Sequence, residues 1–216
     1  MTESSLRERK KIATARDLAL AAFELALEHG LGEATVEDVA ERAGYSRRTF
    51  ANHFSCKQEA VVEGFFLRIG MPTDRFGVEP SGDLVPGSID GIIDAAAEGL
   101  ATVFTGPAAA LVVDFGRLVE REVTLGPFVH QTVFEVRRVH RDRLVAAGLS
   151  QRRAALLLGA LLAVGGVVME ELMTGNASPD DVAALLTEGL DHVRRGFSEP
   201  PPPSTVPAAS SSRPAE

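Results

Sequence analysis

The sequence has few of the residues that build disulfide-rich, metal-binding or redox proteins. Its 216 residues include one cysteine, Cys56, one tyrosine and no tryptophan. A single cysteine excludes a disulfide within the chain and favours a reducing, intracellular setting. The five histidines lack the close spacing of metal-ligand pairs, and there is no glycine-rich phosphate loop. We therefore expect no metal, no cofactor and no enzymatic activity.

Long hydrophobic runs and strand patterns are also scarce. The longest uncharged run, residues 154–169, has 16 residues between charged pairs, whereas a membrane span needs about 20. We therefore expect a buried helix there and no membrane partner. The start, MTESSLRERKK, has no apolar stretch after its charges, so we expect no secretory signal and a cytoplasmic location. Sustained period-two alternation and Asn-Gly turns are missing, which argues against a β-sheet.

The acidic charge is unevenly distributed along the chain. The formal net charge is -8, yet residues 1–57 contain nine basic and nine acidic groups. The remaining residues carry 13 basic and 21 acidic groups and hold the whole excess. An acidic body repels DNA everywhere except at a local basic face. This distribution permits, without proving, a DNA-binding segment near the N-terminus.

Helical periodicity covers most of the chain. The predicted first helix starts at the possible capping sequence SLRE (residues 5–8) and ends at Gly30. TVED at Thr35 has the pattern of a capping box, Gly44 ends the second helix, and Ser46 caps a third. The further predicted helices span residues 57–69, 89–104, 107–121, 127–147, 150–174 and 179–197, and a Gly/Pro-rich loop covers 70–88.

These elements predict an all-α protein with two folded domains. We expect a three-helix DNA-binding domain over residues 6–56 and a larger helical domain over residues 57–197. The tail, residues 198–216, is rich in Pro, Ser and Ala and has little apolar bulk to offset its ordering entropy. We expect it to be disordered.

The second and third helices have the pattern of a helix-turn-helix. The small residue Ala40 lies in the second helix, and Gly44 follows four positions later at the turn. Phe50 and Phe54 occupy the inner face of the third helix, which leaves Arg47, Arg48, Ala51 and Asn52 to point outward. Arginine suits guanine or phosphate and asparagine suits adenine. No acid lies between Arg42 and Glu59, so a merely solvated face is the weaker alternative.

The stretch TVEDVAERAGYSRRTFANHFSCKQEA resembles the N-terminal DNA-binding domain of TetR-family transcriptional regulators, over roughly residues 8–66. The resemblance implies three helices for DNA and about six for ligand and dimer contacts. It implies that DNA is touched by Thr35, Arg47, Arg48, Thr49, Asn52, His53 and Lys57, with the Lys57 side chain and its backbone N–H on phosphate. Tyr45, which can staple the helix entry and reach phosphate, and the cap Ser46 complete the predicted set.

The sequence departs from the family pattern at three positions. Ala51 stands where an aromatic residue is usual, Tyr45 replaces a small aliphatic residue, and Cys56 replaces a serine. Cys56 at a helix start beside Lys57 could have a lowered pKa and sense oxidants. A neutral serine-like replacement is the favoured interpretation.

The second domain is expected to bind a small hydrophobic ligand and to form a homodimer. Candidate ligand residues are Phe66, Phe104, Phe115, Arg117, His130, Phe134 and Met169, although for each of them a place in the core is the favoured interpretation. The helices at 150–174 and 179–197, with small residues in the first and spaced leucines in the second, are the candidate dimer surface. We expect a ligand-responsive repressor on a palindromic operator. An activator or a weakly specific DNA binder remains the alternative.

Overall fold

The computed structural model describes residues 3–71, 73–76 and 88–198. Every regular element in these ranges is helical, which confirms the all-α prediction. The α-helices are α1 Glu3–His29, α2 Val36–Arg42, α3 Arg47–Ala51, α4 Lys57–Arg68, α5 Ile89–Phe104, α6 Gly106–Arg121, α7 Gly126–Ala146, α8 Gln151–Thr174 and α9 Val182–Ser198. Short 3-10 turns lie at Asp74–Phe76, Val123–Leu125 and Pro179–Asp181. Most of the predicted loop 70–88 and of the predicted tail lies outside the described residues.

The helix ends follow the local signals with one exception. The Thr35 hydroxyl accepts from the backbone N–H of Asp38, whose carboxylate accepts from the Thr35 N–H, so the predicted capping box is formed. Gly30 and Gly44 both have positive φ angles, of 83° and 76°, as expected for left-handed helix ends. The cap predicted at SLRE is wrong, because α1 already begins at Glu3 and Ser5 lies inside it.

Helices α1 and α4 cross at very short range. A Cβ atom on Gly64 of α4 would lie 2.1 Å from the carbonyl oxygen of Ala19 on α1, so only glycine permits this approach. Around the crossing, Leu18, Phe23 and Val62 are fully buried. The N-terminal helices are therefore anchored on α4, which continues into the rest of the fold.

The remaining helices form the larger body. Helix α9 packs against α5 and α8, and a Cβ on Gly189 of α9 would meet Val164 of α8 at 2.7 Å. Arg194 of α9 donates to Asp94 of α5 at 2.6 Å, with Asp90 at 3.7 Å. The last helix is thus fixed by close packing and by an exposed ionic cluster.

Helix α8 is buried on one face only. Its inner residues, including Leu157, Leu161 and Val168, are buried, whereas Leu156 is 60% and Val167 55% exposed. By length and composition, α8 is the one described helix that could by itself cross a membrane, and 33% of its most apolar stretch is buried. Helix α8 packs against α5, α6, α7 and α9. The predicted burial of this helix is therefore confirmed only for the face that contacts these helices.

Candidate nucleic-acid interface

The turn between α2 and α3 has the geometry of a helix-turn-helix. Gly44 takes the left-handed conformation, and the Tyr45 N–H donates to the carbonyl of Ala40 at 2.8 Å. Ala40 is 2% exposed, as are Phe50 and Phe54 on the inner side of α3 and just beyond it. These apolar contacts fix the orientation of α3 and leave its other side to solvent.

The outer side of α3 presents Arg47, Arg48 and Ala51, and Asn52 follows as the C-cap residue; all four are exposed. Arg48 has no ion-pair partner among the described residues. Arg47, in contrast, forms a 2.9 Å ion pair with Glu37 of α2. The absence of an acid between Arg42 and Glu59 in the sequence therefore does not leave Arg47 unpaired, since folding brings α2 beside α3.

Three of the other predicted contact residues are engaged in capping. The Ser46 hydroxyl accepts from the Thr49 N–H at 3.1 Å and lies 2.9 Å from the Thr49 hydroxyl. The Thr35 hydroxyl donates to Asp38 at 2.5 Å, and this bond is the main reason why the pKa of Asp38 is lowered. These side chains therefore cap the starts of α2 and α3.

Tyr45 and Lys57 are turned toward protein atoms. The Tyr45 hydroxyl donates to the Asp17 carboxylate of α1 at 2.9 Å. The Lys57 ammonium donates to the carbonyls of Leu31 and Ala34 at 2.5 and 2.9 Å, and to that of Gly32 at 3.3 Å. In this structure both side chains hold the DNA-binding helices together.

Sequence reasoning missed Arg75, which lies in the predicted loop. Its guanidinium donates to the His53 carbonyl at 2.5 Å and to the Glu59 carboxylate, and its carbon lies 5.0 Å from the Phe54 ring centre. The other Glu59 oxygen accepts from the N–H and hydroxyl of Ser55, both at 2.7 Å. Arg75 therefore ties the segment after α3 to the segment after α4. No local signal in the sequence marks a contact across 22 positions.

His53, whose carbonyl accepts from Arg75, is half-buried. Burial lowers its pKa, and the nearby charges of Lys11 and Arg75 lower it further. The ring is therefore neutral at pH 7 and can form hydrogen bonds without carrying a charge.

A cavity of about 220 Å³ lies in the body, between the end of α4 and helices α5, α7 and α8. It is lined by Ile69, Gly70, Met71, Ile92, Ala95, Ala96, Gly99, Leu100, Thr102, Val103, Val136, Arg137, His140, Leu158, Leu161 and Leu162.

None of the seven predicted ligand residues lines this cavity. Phe66, Phe104 and Phe115 are core residues, and Met169 is half-buried against the core. Arg117, His130 and Phe134 are exposed, with Phe134 at 60%. Helical periodicity identified apolar positions, but it could not show where the core leaves space.

These features define a helix-turn-helix DNA-binding protein. Residues 18–63 match the family model described as bacterial regulatory proteins, tetR family. Residues 18–63 therefore carry the DNA-binding domain of tetR-family bacterial regulatory proteins.

Two solved structures are distantly similar to most of the chain. One is a transcriptional regulator from Rhodococcus sp. RHA1, with 22% identity, a TM-score of 0.45, and coverage of 87% of this chain and 99% of the other. The second, described provisionally as a transcriptional regulator from Rhodococcus sp. RHA1, shares 18% identity at the same TM-score and covers 87% and 96%. No curated protein matches the sequence significantly. The family assignment rests on the sequence match.

Proposed function

We propose that the protein is a cytoplasmic, ligand-responsive repressor that binds a palindromic operator as a homodimer. The observation that carries this proposal is the outer side of α3, where Arg48 and Asn52 are exposed above an inner side locked by Phe50 and Phe54. A short helix held in this way can enter the major groove with its side chains toward base edges. The proposed role is binding and not catalysis.

Within the proposed interface the residues divide by task. Arg47, Arg48 and Asn52 would read bases or bind phosphate, because they are exposed and carry the matching donors and acceptors. Thr35, Ser46, Thr49 and His53 would contact the backbone from the helix starts and flanks, and Tyr45 and Lys57 would mainly support the fold. The Lys57 backbone N–H, at the first position of α4, remains a proposed phosphate contact.

The proposed dimer uses the outer face of α8 together with α9. Leu156 and Val167 are large, apolar and exposed, and Ala163 and Gly166 lie exposed between them. An exposed apolar stripe of this kind is typical of a surface that another protein covers. Two copies joined there would hold two α3 helices at the spacing of about 34 Å that one turn of DNA requires.

The proposed ligand response uses α4 as the link. One end of α4 follows the helix-turn-helix directly, and Ile69 to Met71 at its other end line the cavity. We place the proposed boundary between the DNA-binding and ligand-binding functions at residues 56 and 57, although α4 also packs closely on α1. A ligand that displaces the far end of α4 would change the spacing of the two α3 helices. Activation instead of repression would use the same linkage.

The DNA-binding proposal is tested by selection from random duplexes, followed by fluorescence anisotropy on the selected duplex at several salt concentrations. Arg48→Ala should cost about 1–3 kcal/mol and relax preference at one base position. Arg121→Ala on α6, an exposed arginine in the body, is the matched control and should leave binding unchanged. Failure to select any sequence, or unaltered binding by Arg48→Ala, would contradict the proposal and favour a weakly specific binder.

The dimer is tested separately by analytical ultracentrifugation. Val167→Glu should give monomers and lose operator binding. Val123→Glu, at a valine that is 80% exposed outside α8, introduces the same charge and should leave the dimer intact. A dimer that survives Val167→Glu would place the interface elsewhere.

A further inference from the structure

The cavity between α5, α7 and α8 is mostly apolar, with a few polar side chains in its lining. Of its sixteen residues, thirteen are apolar or glycine, and the other three are Thr102, Arg137 and His140. The Thr102 hydroxyl is already used, because it donates to the carbonyl of Glu98 at 2.9 Å. Among the described residues, no aspartate or glutamate lines the cavity. The available polar chemistry is therefore cationic or hydrogen-bond donating.

Arg137 lines this cavity and is also exposed to solvent, and it brings a full charge to the site. It has no ion-pair or hydrogen-bond partner among the described residues, whereas its neighbour Arg138 lies 3.8 Å from Asp142. One terminal nitrogen of Arg137 lies 3.6 Å from where a Cβ on Gly159 of α8 would be. The guanidinium therefore rests on α8, where the helix has no side chain. An arginine held beside an apolar cavity without an acid is suited to a planar anion.

His140 lies one turn from Arg137 on α7 and adds a neutral donor. Its Nδ1 atom is buried and has no hydrogen-bond partner within residues 3–71, 73–76 and 88–198. A buried N–H without an acceptor is costlier than a bare acceptor, so the ring hydrogen is assigned to Nε2. Burial lowers the pKa of His140, and the charge of Arg143 lowers it further, so the ring is neutral at pH 7. A neutral imidazole with Nε2–H donates to an oxygen acceptor.

From this lining we infer that the cavity binds a small organic acid, with its carboxylate on Arg137 and His140 and its apolar body among the leucines and isoleucines. The cavity volume of about 220 Å³ exceeds the roughly 150 Å³ that holds a benzene molecule. The apolar body should therefore have roughly six to nine carbons, as in a short aryl acid or a medium-chain fatty acid. This inference rests on the proposed ligand-responsive function and specifies the chemistry of its ligand.

The test is isothermal titration calorimetry on the full chain without DNA. The probes are phenylacetate and octanoate, each paired with its neutral amide, and phenethylamine as a cation of similar size. The acids should bind at least tenfold more tightly than the amides, and the cation should not bind. Arg137→Gln should remove the preference for the acid, while Arg138→Gln on the same helix should keep it. Circular dichroism and the melting temperature establish that both variants are folded.

Equal binding of acid and amide, acid binding unaltered by Arg137→Gln, or no binding of either acid would each overturn the inference. His140→Leu should weaken acid binding severalfold, and unaltered affinity would overturn the role of His140. Because no DNA is present, failure here leaves operator binding through Arg48 untouched. If the acids bind but do not release a selected operator, the ligand class stands and the proposed ligand response fails.

Discussion

The ring of Phe65 on α4 stacks on the ring of Phe115 on α6, with centroids 3.8 Å apart and planes inclined by 13°. Phe23 of α1 lies against both rings, at 5.8 Å from Phe65 and 6.1 Å from Phe115. Three helices from the two parts of the chain therefore share one aromatic cluster. Because protein cores are close-packed, α4 cannot move without rearranging this cluster.

We expect Phe115→Ala to lower the free energy of unfolding by about 3–5 kcal/mol, because it leaves a cavity beside Phe65 and Phe23. Phe134→Ala removes the same atoms from a ring that is 60% exposed and should change stability by less than about 0.5 kcal/mol. Urea denaturation followed by circular dichroism measures both. Similar losses in the two variants would show that the aromatic cluster is not a main source of stability.

The second prediction concerns Lys57 and its three carbonyl partners. Lys57→Met leaves these carbonyls without a donor, so we expect a loss of about 1.5–3 kcal/mol in the free energy of unfolding. The salt dependence of DNA binding should be unchanged, since the backbone N–H is retained. If the ammonium binds phosphate, as the family resemblance implies, the slope of log K against log salt should instead fall by about one. Lys10→Met, at an exposed lysine of α1, controls for loss of charge.

Glu37 is expected to oppose DNA binding by holding Arg47. Glu37→Gln removes an exposed ion pair, so stability should change by less than about 1 kcal/mol. Operator affinity should rise severalfold, because Arg47 is released and a negative charge beside the phosphates is lost. Glu188→Gln on α9 makes the same charge change far along the chain and should have little effect. Weaker binding by Glu37→Gln would mean that Glu37 positions Arg47 for DNA.

The buried Glu63 should make stability depend on pH. Burial raises its pKa, against the opposing effects of the Thr73 hydroxyl, which donates to it at 2.8 Å, and of Arg75. The Glu63 carboxyl group then binds its proton more tightly in the folded state than in the unfolded state. The contribution of Glu63 to the free energy of unfolding therefore falls as pH rises above about 4.5. Glu63→Gln keeps an acceptor for Thr73 and removes the charge.

We therefore expect the stability of Glu63→Gln relative to the parent to increase from pH 4 to pH 7. Chemical denaturation at a series of pH values measures this difference. Glu98→Gln on α5, at an exposed acid, should show no such increase. A Glu63→Gln variant that loses stability as pH rises would mean that attraction to Arg75 outweighs the cost of burial.

Much of the fold follows from local patterns. The apolar spacing and the Gly, Pro and Ser punctuation located α5 to α9 to within a few residues, because each helix boundary depends on nearby residues. The capping box at Thr35 and the left-handed Gly44 were likewise predictable from a few neighbouring positions. The start of α1 was not, since a Ser-x-x-Glu sequence is compatible with a helix interior as well as a cap.

The contacts of the candidate sites were far less predictable. The pairing of Arg47 with Glu37 depends on the angle between α2 and α3, and the bonds of Arg75 to His53 and Glu59 depend on how the chain returns after α4. The cavity lining was missed entirely, because periodicity separates apolar from polar faces but does not measure the space between helices.

The sequence by itself determined the helices, their order and the outward side of α3, since these depend on backbone propensity and on the spacing of apolar residues along one helix. Only the tertiary structure decided that the Lys57 ammonium donates to backbone carbonyls and that Arg75 joins two distant segments. It also decided that Arg137 and His140 line the same cavity. Such relationships arise where helices cross, and crossing geometry depends on the packing of many side chains at once.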